Sequence, residues 1–358
     1  LFRMRLSDKG EILEYDISDG TDWPLDFERI TYDEVDSILR GEANSRPSEE
    51  KKAIEKLYKI SSARQLLRKD LGAKSFSLPK VQISPSLSSS SPKLQLRYDP
   101  GVLVNSRLLV AELMILTSQT ASLFANDHSL PFCYRWQPPP SPFTPEQWKS
   151  FPSVISTPAF AVNAVAQWSK AEPSDLPKRH SSLGLDSYAR VTSPARRYPD
   201  IVNHRQLKNF LQSKSLPYSS EEMRRFVRET RIKELWVKRA EMASLRYWTH
   251  RYLVQEMEDH PGSLWLRGCV LKSQWNPRES HYLISVFIDD VAQNSQFLSE
   301  EDIPFGEIVY LKALEDKGFF IEYDRTIRRD PPTEWVEWRE KNPSYIQNAP
   351  VPLERFDL

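Results

Sequence analysis

Glycine is scarce in this chain, 10 residues in 358, which leaves little material for phosphate-cradling loops. No glycine motif of the Walker or dinucleotide type occurs. Cysteine is rarer still. Cys133 and Cys269 are the only two, which excludes a disulfide framework and a cysteine zinc site. A reducing compartment is the default that follows. An excess of one charge is missing too, since 49 Lys and Arg balance 49 Asp and Glu. That excludes a uniformly basic nucleic-acid coat but leaves room for a basic channel in a neutral body. No uninterrupted apolar run approaches the ~18 residues of a membrane span, so no membrane partner is expected. The length allows two domains, or one with appendages.

What is present is strongly patterned. Phe2, Met4 and Leu6 alternate, Asp8-Lys9-Gly10 turns, and Ile12, Tyr15 and Ile17 follow, which predicts a β-hairpin. A chain that opens inside a strand is expected to be a fragment of something longer. Thr31-Tyr-Asp-Glu34 is a capping-box pattern that opens a helix over Tyr32 to Leu39. Ser48 to Lys69 reads as a second helix with an apolar face of Ile54, Leu57, Tyr58 and Ile60. The serine-rich stretch from Ile83 to Pro92 reads as a loop. Asn105 to Ala125 is a periodic helix, and the proline-rich run Gln137 to Pro145 an extended crossing. Further helices are expected from Thr144 and over Ala159 to Lys170.

Ser219 to Tyr252 is the longest helical pattern. Its expected buried side holds Phe226, Val227, Leu235, Trp236, Ala240, Ala243 and Trp248. Seven cations from Arg224 to Arg251 form the polar complement, either as a solvated face or as the wall of a nucleic-acid path. After His260-Pro-Gly262 the pattern turns to strands: Leu264 to Lys272, Tyr282 to Asp289, Glu307 to Leu314 and Gly318 to Tyr323. Their spacing suggests a small β-barrel. The tail from Arg325 to Leu358 is expected to wrap the surface.

The most informative run is His180 to Phe210. Gly184 and Pro194 punctuate a turn that leads into a helix. Thr192 or Ser193 is the expected cap, with Pro194 at the first helical position. Arg196 and Arg197 then fall in the first turn, where cations oppose the helix dipole. They need an anionic partner there, either a phosphate or a carboxylate such as Asp200.

At fixed spacing this run reads Gly184, Leu185, Tyr188, Thr192, Ser193, Pro194, Arg196, Arg197, Tyr198, Asp200, His204, Arg205 and Leu207. It resembles the most diagnostic segment of the RNase II/RNB family of 3′-to-5′ exoribonucleases. Ala195 stands where the family usually has Ile. The resemblance implies that Arg196 is catalytic and holds a phosphate beside the scissile bond, and that Ser193 and Arg197 join it on the RNA. It also implies that Arg197, Tyr198, Asp200, His204 and Arg205 pair among themselves and buttress the helix, with Tyr188 and Pro194 as parts of the same motif.

Leu109 to Ala125 resembles a helix of the family in which a Glu contacts ribose near the cleavage site, and Glu112 matches it. Ser118 replaces the family's Asn. The residues agree with an inward placement, because Leu108, Leu109, Ile115, Leu116 and Gln119 share a face with Glu112. An unpaired carboxylate is costly to bury, so Glu112 should have a partner. Gly72-Ala-Lys-Ser-Phe76 resembles a segment whose aromatic stacks on a base, which makes Phe76 a candidate RNA contact. The resemblance implies an α+β fold, with helices on a mixed sheet over 1–258, an OB-type β-barrel over 259–325 and an extension over 326–358.

The family's cluster of metal-binding aspartates does not occur in the chain. The adjacent Asp289-Asp290 falls in the expected barrel and reads as a strand-end turn. The implied activity is degradation of single-stranded RNA to nucleoside 5′-monophosphates by a longer, Mg²⁺-dependent enzyme, with this chain inactive alone. A catalytically dead RNA-binding or structural relative is the alternative, and a split protein a third. The serine- and proline-rich inserts look like those of organellar and cyanobacterial members, which implies a mitochondrial protein, otherwise a cytoplasmic one. Single-stranded RNA is the implied partner, with an RNA helicase or degradosome component beside it.

Overall fold

The computed structural model describes residues 1–20, 28–42, 45–76, 80–86, 93–99, 104–139, 154–155, 169–318, 321–324 and 327–341. The fold is α+β. Two compact units emerge. One combines Leu1–Ser75, Leu103–Ser153 and Trp168–Trp236; the other combines Phe76–Val102, Val154–Gln167 and Val237–Leu358. This division differs from the linear boundaries drawn on the sequence, because the segment 76–102 joins the barrel. The expected helices at Thr144 and over Ala159 to Lys170 lie outside the described residues, apart from Ser169 and Lys170, which are not helical.

In the first unit, β1 (Phe2–Leu6) and β2 (Ile12–Ile17) form the antiparallel hairpin, with Met4 opposite Tyr15. Helix α1 (Tyr32–Leu39) starts at a complete capping box, in which Thr31 and Glu34 satisfy each other's backbone N–H. In helix α2 (Ser48–Asp70) only Ile54 and Tyr58 of the expected apolar face are even half-buried. Leu57 and Ile60 are exposed, whereas Ser61, Arg64 and Arg68 are its buried residues. The reason is polar complementarity: Arg64 donates to the Gly10 carbonyl at 2.8 Å and also to Gln119.

Helix α3 (Asn105–Asp127) is the centre of this unit, with Ala121 and Ala125 fully buried. It is long and apolar enough to cross a membrane by length and composition, although polar residues interrupt its apolar run. Here it is a core helix: it buries Glu112, Ser118, Thr120 and Ser122, and Phe124 packs with Phe132, Tyr134 and Val191. The short strands β6 (Tyr134–Trp136) and β8 (Glu172–Ser174) pair antiparallel, and a parallel bridge joins Gln137 to His180. The two-residue strands β3 (Ser75–Phe76) and β7 (Val154–Ile155) pair with each other.

Helix α4 (Tyr198–Leu211) is followed by α5 (Ser220–Asp259), which runs for 40 residues. At 1.5 Å per residue, α5 is about 60 Å long, longer than one small core. Only its ends are lined with buried residues: Met223, Val227 and Thr230 near the start, and Thr249, Tyr252, Leu253 and Glu256 near the end. The expected buried side therefore fails in the middle, where Leu235, Trp236 and Trp248 are 49%, 63% and 46% exposed.

The second unit is a five-stranded antiparallel sheet of OB type, in the order β11-β10-β9-β12-β13. The strands are β9 (Trp265–Asn276), β10 (His281–Ile288), β11 (Gln293–Ser299), β12 (Ile308–Asp316) and β13 (Ile321–Tyr323). The sequence pattern missed β11, whose residues QNSQFLS are mostly polar because it is an edge strand. It also missed a hairpin of β4 (Lys80–Pro85) and β5 (Leu94–Asp99), so Ile83 to Pro85 are strand rather than loop. The Gln255 amide pins this hairpin by accepting from Leu94 N at 2.7 Å and donating to Leu94 O at 3.0 Å.

The tail also departs from a surface wrap. Helix α6 (Thr333–Lys341) sinks Trp335 and Trp338 to 4% and 5% exposure. Trp338 Nε1 donates to Glu256 at 2.7 Å, and Trp335 Nε1 to Asp290 at 3.2 Å. Asp289 and Asp290 do lie at a strand end, in a single 3-10 turn, where Asp290 accepts the Arg267 N–H and Asp289 pairs with the Arg267 guanidinium.

Candidate nucleic-acid interface

The motif around Arg196 is built on a turn, not on a helix start. Ser193 O accepts from Arg196 N at 3.2 Å and from Arg197 N at 3.0 Å, closing the chain on itself before α4 begins. Arg197 is the N-terminal flanking residue of α4 and provides no side-chain cap. The expected cap at Thr192 or Ser193 with Pro194 in the first helical position is thus corrected. The proline of the first helical turn is Pro199, and Pro194 lies in the exposed turn.

Asp200 explains the choice. Fully buried in the first turn of α4, it accepts from Ser193 N at 2.9 Å and from Arg197 Nη2 at 2.7 Å and Nε at 3.1 Å. An acidic group there also complements the helix dipole. Arg197 makes a further bond to Thr192 Oγ1. His204 Nε2 donates to Val191 O at 2.6 Å, and Tyr188 stands edge-on to His180. Tyr198 and Arg205 remain at the surface: Tyr198 is 57% exposed beside Phe226, and among the described residues the Arg205 side chain reaches only Tyr218 Oη, at 3.5 Å. They do not join the pairing expected of them.

Arg196 differs from its neighbour. It is exposed, and among the described residues its guanidinium has no partner. The turn therefore presents one free cation, while Arg197 is spent on Asp200.

Glu112 is 2% exposed and has the partner that its apolar stripe demanded. Arg68 donates from Nε at 2.9 Å and from Nη2 to its two carboxylate oxygens, and from Nη1 to Leu183 O at 3.0 Å. Sequence reasoning missed Arg68. The available signal was a pair of arginines, Arg64 and Arg68, one helical turn apart. Lys69, Lys74, Ser182 and Leu183 join Arg68 and Glu112 around a cavity of about 140 Å³. Burial lowers the Lys74 pKa. The space is close to the ~150 Å³ that admits one benzene-sized group. Phe76 lies in β3, and its side chain is outside the described residues.

Asn203, also missed, ties the segment before the turn to the core. It accepts from Cys133 N at 2.9 Å and donates to the carbonyls of Cys133 and Arg190, each at 3.0 Å. Cys133 and Cys269 are both buried, and burial pushes each thiol up to about 12, which removes them as nucleophiles at neutral pH. His180 is pushed down to about 3, by burial first and then by Arg135 and Arg190, so it is neutral and no general base. Among the described residues no group of three or more His, Cys, Asp or Glu side chains could hold a metal ion. The described residues therefore do not fit the divalent ions that the family resemblance implies.

The RNB domain profile matches residues 1–213. An uncharacterized ribonuclease of Synechocystis is 28% identical over 261 residues, covering 72% of this chain and 36% of its own length. The mitochondrial exoribonuclease II of Saccharomyces cerevisiae is 29% identical over 238 residues, 63% of this chain and 24% of its own. The crystal structure of an active-site mutant of the Dss1 exoribonuclease from Candida glabrata superposes with a TM-score of 0.69 at 25% identity, over 83% of this chain and 38% of that one. The chain thus spans little more than a third of these proteins or less. With the domain match covering more than half of the chain, and with exoribonucleases as relatives, this protein belongs to the RNB family.

Proposed function

We propose that this chain holds the RNA strand in a 3′-to-5′ exoribonuclease that degrades single-stranded RNA to nucleoside 5′-monophosphates in the mitochondrion. The observation that carries the reading is Arg196: an exposed cation without a partner among the described residues, on a turn that Asp200 holds from behind. In this reading Arg196 binds a phosphate near the 3′ end, with Ser193 and Arg197 beside it. Glu112 reads the ribose 2′-OH, the group that separates RNA from DNA. A carboxylate offers about four acceptor sites, and the Arg68 fork takes two of them. Acceptor capacity thus remains for a hydroxyl in the adjoining cavity. Phe76 supplies a stacking face.

The carboxylates for Mg²⁺ would come from elsewhere than the described residues, and no chemical step is assigned to Glu112. The chain is therefore expected to bind RNA without cutting it. The lack of a metal-holding group among the described residues also favours a second reading, a family member that binds RNA and does not hydrolyse it. Purified 1–358 with 3′-labelled single-stranded RNA, with and without Mg²⁺ or Mn²⁺, tests both. Salt-dependent binding without cleavage is expected, and metal-dependent release of mononucleotides would overturn it. Cleavage by the natural full-length protein separates the enzyme from the non-hydrolytic relative.

A further inference from the structure

Three arginines meet behind the Arg196 turn, and only two of them have carboxylates. Arg135, on β6, donates from Nη1 to both oxygens of Glu234 at 2.9 Å and from Nη2 to Ala171 O at 2.8 Å. Arg197 is paired with Asp200. Arg190 is half-buried in the extended segment between them, and among the described residues its guanidinium has no acceptor. Burial first, then the repulsion of Arg135 and Arg197, lower its pKa, while Tyr188 and Glu234 act in the other direction. The two carboxylates are already committed, so the cluster carries one uncompensated positive charge, centred on Arg190. A second orphan lies alongside, since Arg135 Nε is buried without an acceptor.

The backbone that carries Arg190 is held in place. Tyr188 O accepts from Arg135 N at 2.8 Å, Arg190 O from Asn203 Nδ2 at 3.0 Å, and Val191 O from His204. A half-buried guanidinium fixed among like charges is destabilising on its own. An anion with several acceptor oxygens would relieve it, and a phosphodiester matches the guanidinium fork.

We propose that Arg190 is a second RNA phosphate site, separate from Arg196, which takes a backbone phosphodiester of the same single strand. This rests on the RNA-binding reading above. Each phosphate contact on a single strand contributes about 0.7 to the slope of log K against log salt. The test is a titration of fluorescein-labelled oligoadenylate into the full-length protein with EDTA present, over a range of salt.

Arg190→Gln is expected to lower the slope by about 0.7 and Arg190→Lys to retain it, with neither lowering the melting temperature. Arg196→Gln should lower the slope independently, and the double variant by the sum. If the wild type shows no salt-dependent binding, the RNA reading itself fails. If the wild type and Arg196→Gln behave as stated but Arg190→Gln keeps the full slope, only the second site fails. Should Arg190→Gln not fold, arginine modification of the wild type by phenylglyoxal decides. Oligoadenylate should protect Arg190 and leave Arg3 on the β1–β2 hairpin reactive. Equal modification of Arg190 with and without RNA, including none in either, overturns the proposal.

Discussion

Arg68 and Glu112 face each other across two helices, α2 and α3, as a bidentate pair with side chains 9% and 2% exposed. The pair converts two buried charges into a joint between helices. It also sets the orientation of the carboxylate at the cavity, because the same guanidinium is anchored to Leu183 O. A joint of this kind is not a net source of stability, since desolvation cancels much of the attraction. Its importance shows when one side is removed.

Glu112→Ala should therefore destabilise the protein by about 3–5 kcal/mol, the cost of a stranded buried charge. Urea unfolding measures it. Arg68→Met with Glu112→Leu should recover most of that loss. In RNA-active full-length protein, Glu112→Ala should also reduce discrimination of RNA over DNA. Unchanged discrimination in the folded variant would leave Glu112 a purely structural residue.

Arg196→Ala should have the opposite profile. An exposed side chain without a partner contributes little to stability, so urea unfolding should change by less than about 0.5 kcal/mol. A charge-assisted phosphate contact is worth ~1.5–3 kcal/mol, so RNA hydrolysis by the full-length protein should slow tenfold or more. Lys should rescue poorly, lacking the bidentate fork. Unchanged single-turnover cleavage would remove the assignment.

The parts legible in the sequence were those whose causes are local. Thr31 and Glu34 are three residues apart, and their box formed as the pattern implied. The β1–β2 hairpin likewise needs only alternation and a turn. The parts that misled were decided at a distance. Arg64 and Arg68 drew no expectation of their own, because their partners Gly10 and Glu112 are 54 and 44 residues away. Pro194 looked like a first helical residue until Asp200, seven residues beyond Ser193, closed the turn. The apolar residues in the middle of α5 have a helical period, but period alone does not say whether a core lies opposite. The motif positions at Arg196 were legible through family resemblance, whereas Arg190 became visible only when the carboxylates of its neighbours were accounted for.

Gly184 supports the same joint from the other side. Its φ is +66°, and a Cβ placed there would lie 2.7 Å from Arg68 O and 2.9 Å from Ala73 N. Both obstacles are backbone and cannot swing away. Gly184→Ala should cost about 1–3 kcal/mol from the left-handed conformation alone, with the contact added. Thermal unfolding should show a loss larger than for Gly41→Ala, where φ is also positive but no atom lies within 4 Å. Equal losses would mean that α2 yields easily at its end.

The barrel should be more stable in mild acid than at neutral pH, and Asp289 is the reason. It is 1% exposed, and burial raises its pKa from 3.8 to about 7, with Asp290 adding to the shift and Arg267 and Arg339 opposing it. One oxygen accepts from Arg267 while the other is buried without a donor, so the pair does not repay the desolvation. The folded state thus binds a proton that the unfolded state has released between about pH 4 and 7. Stability from this group is fully present below the unfolded pKa and is lost as pH rises through about 7. Asp289→Asn keeps the shape and removes the titration. Chemical denaturation of the wild type at steps from about pH 4.5 to about pH 7.5 should show a decline that the variant lacks. Parallel curves for the two proteins would place the charge on Asp289 throughout, with Arg267 sufficient to hold it.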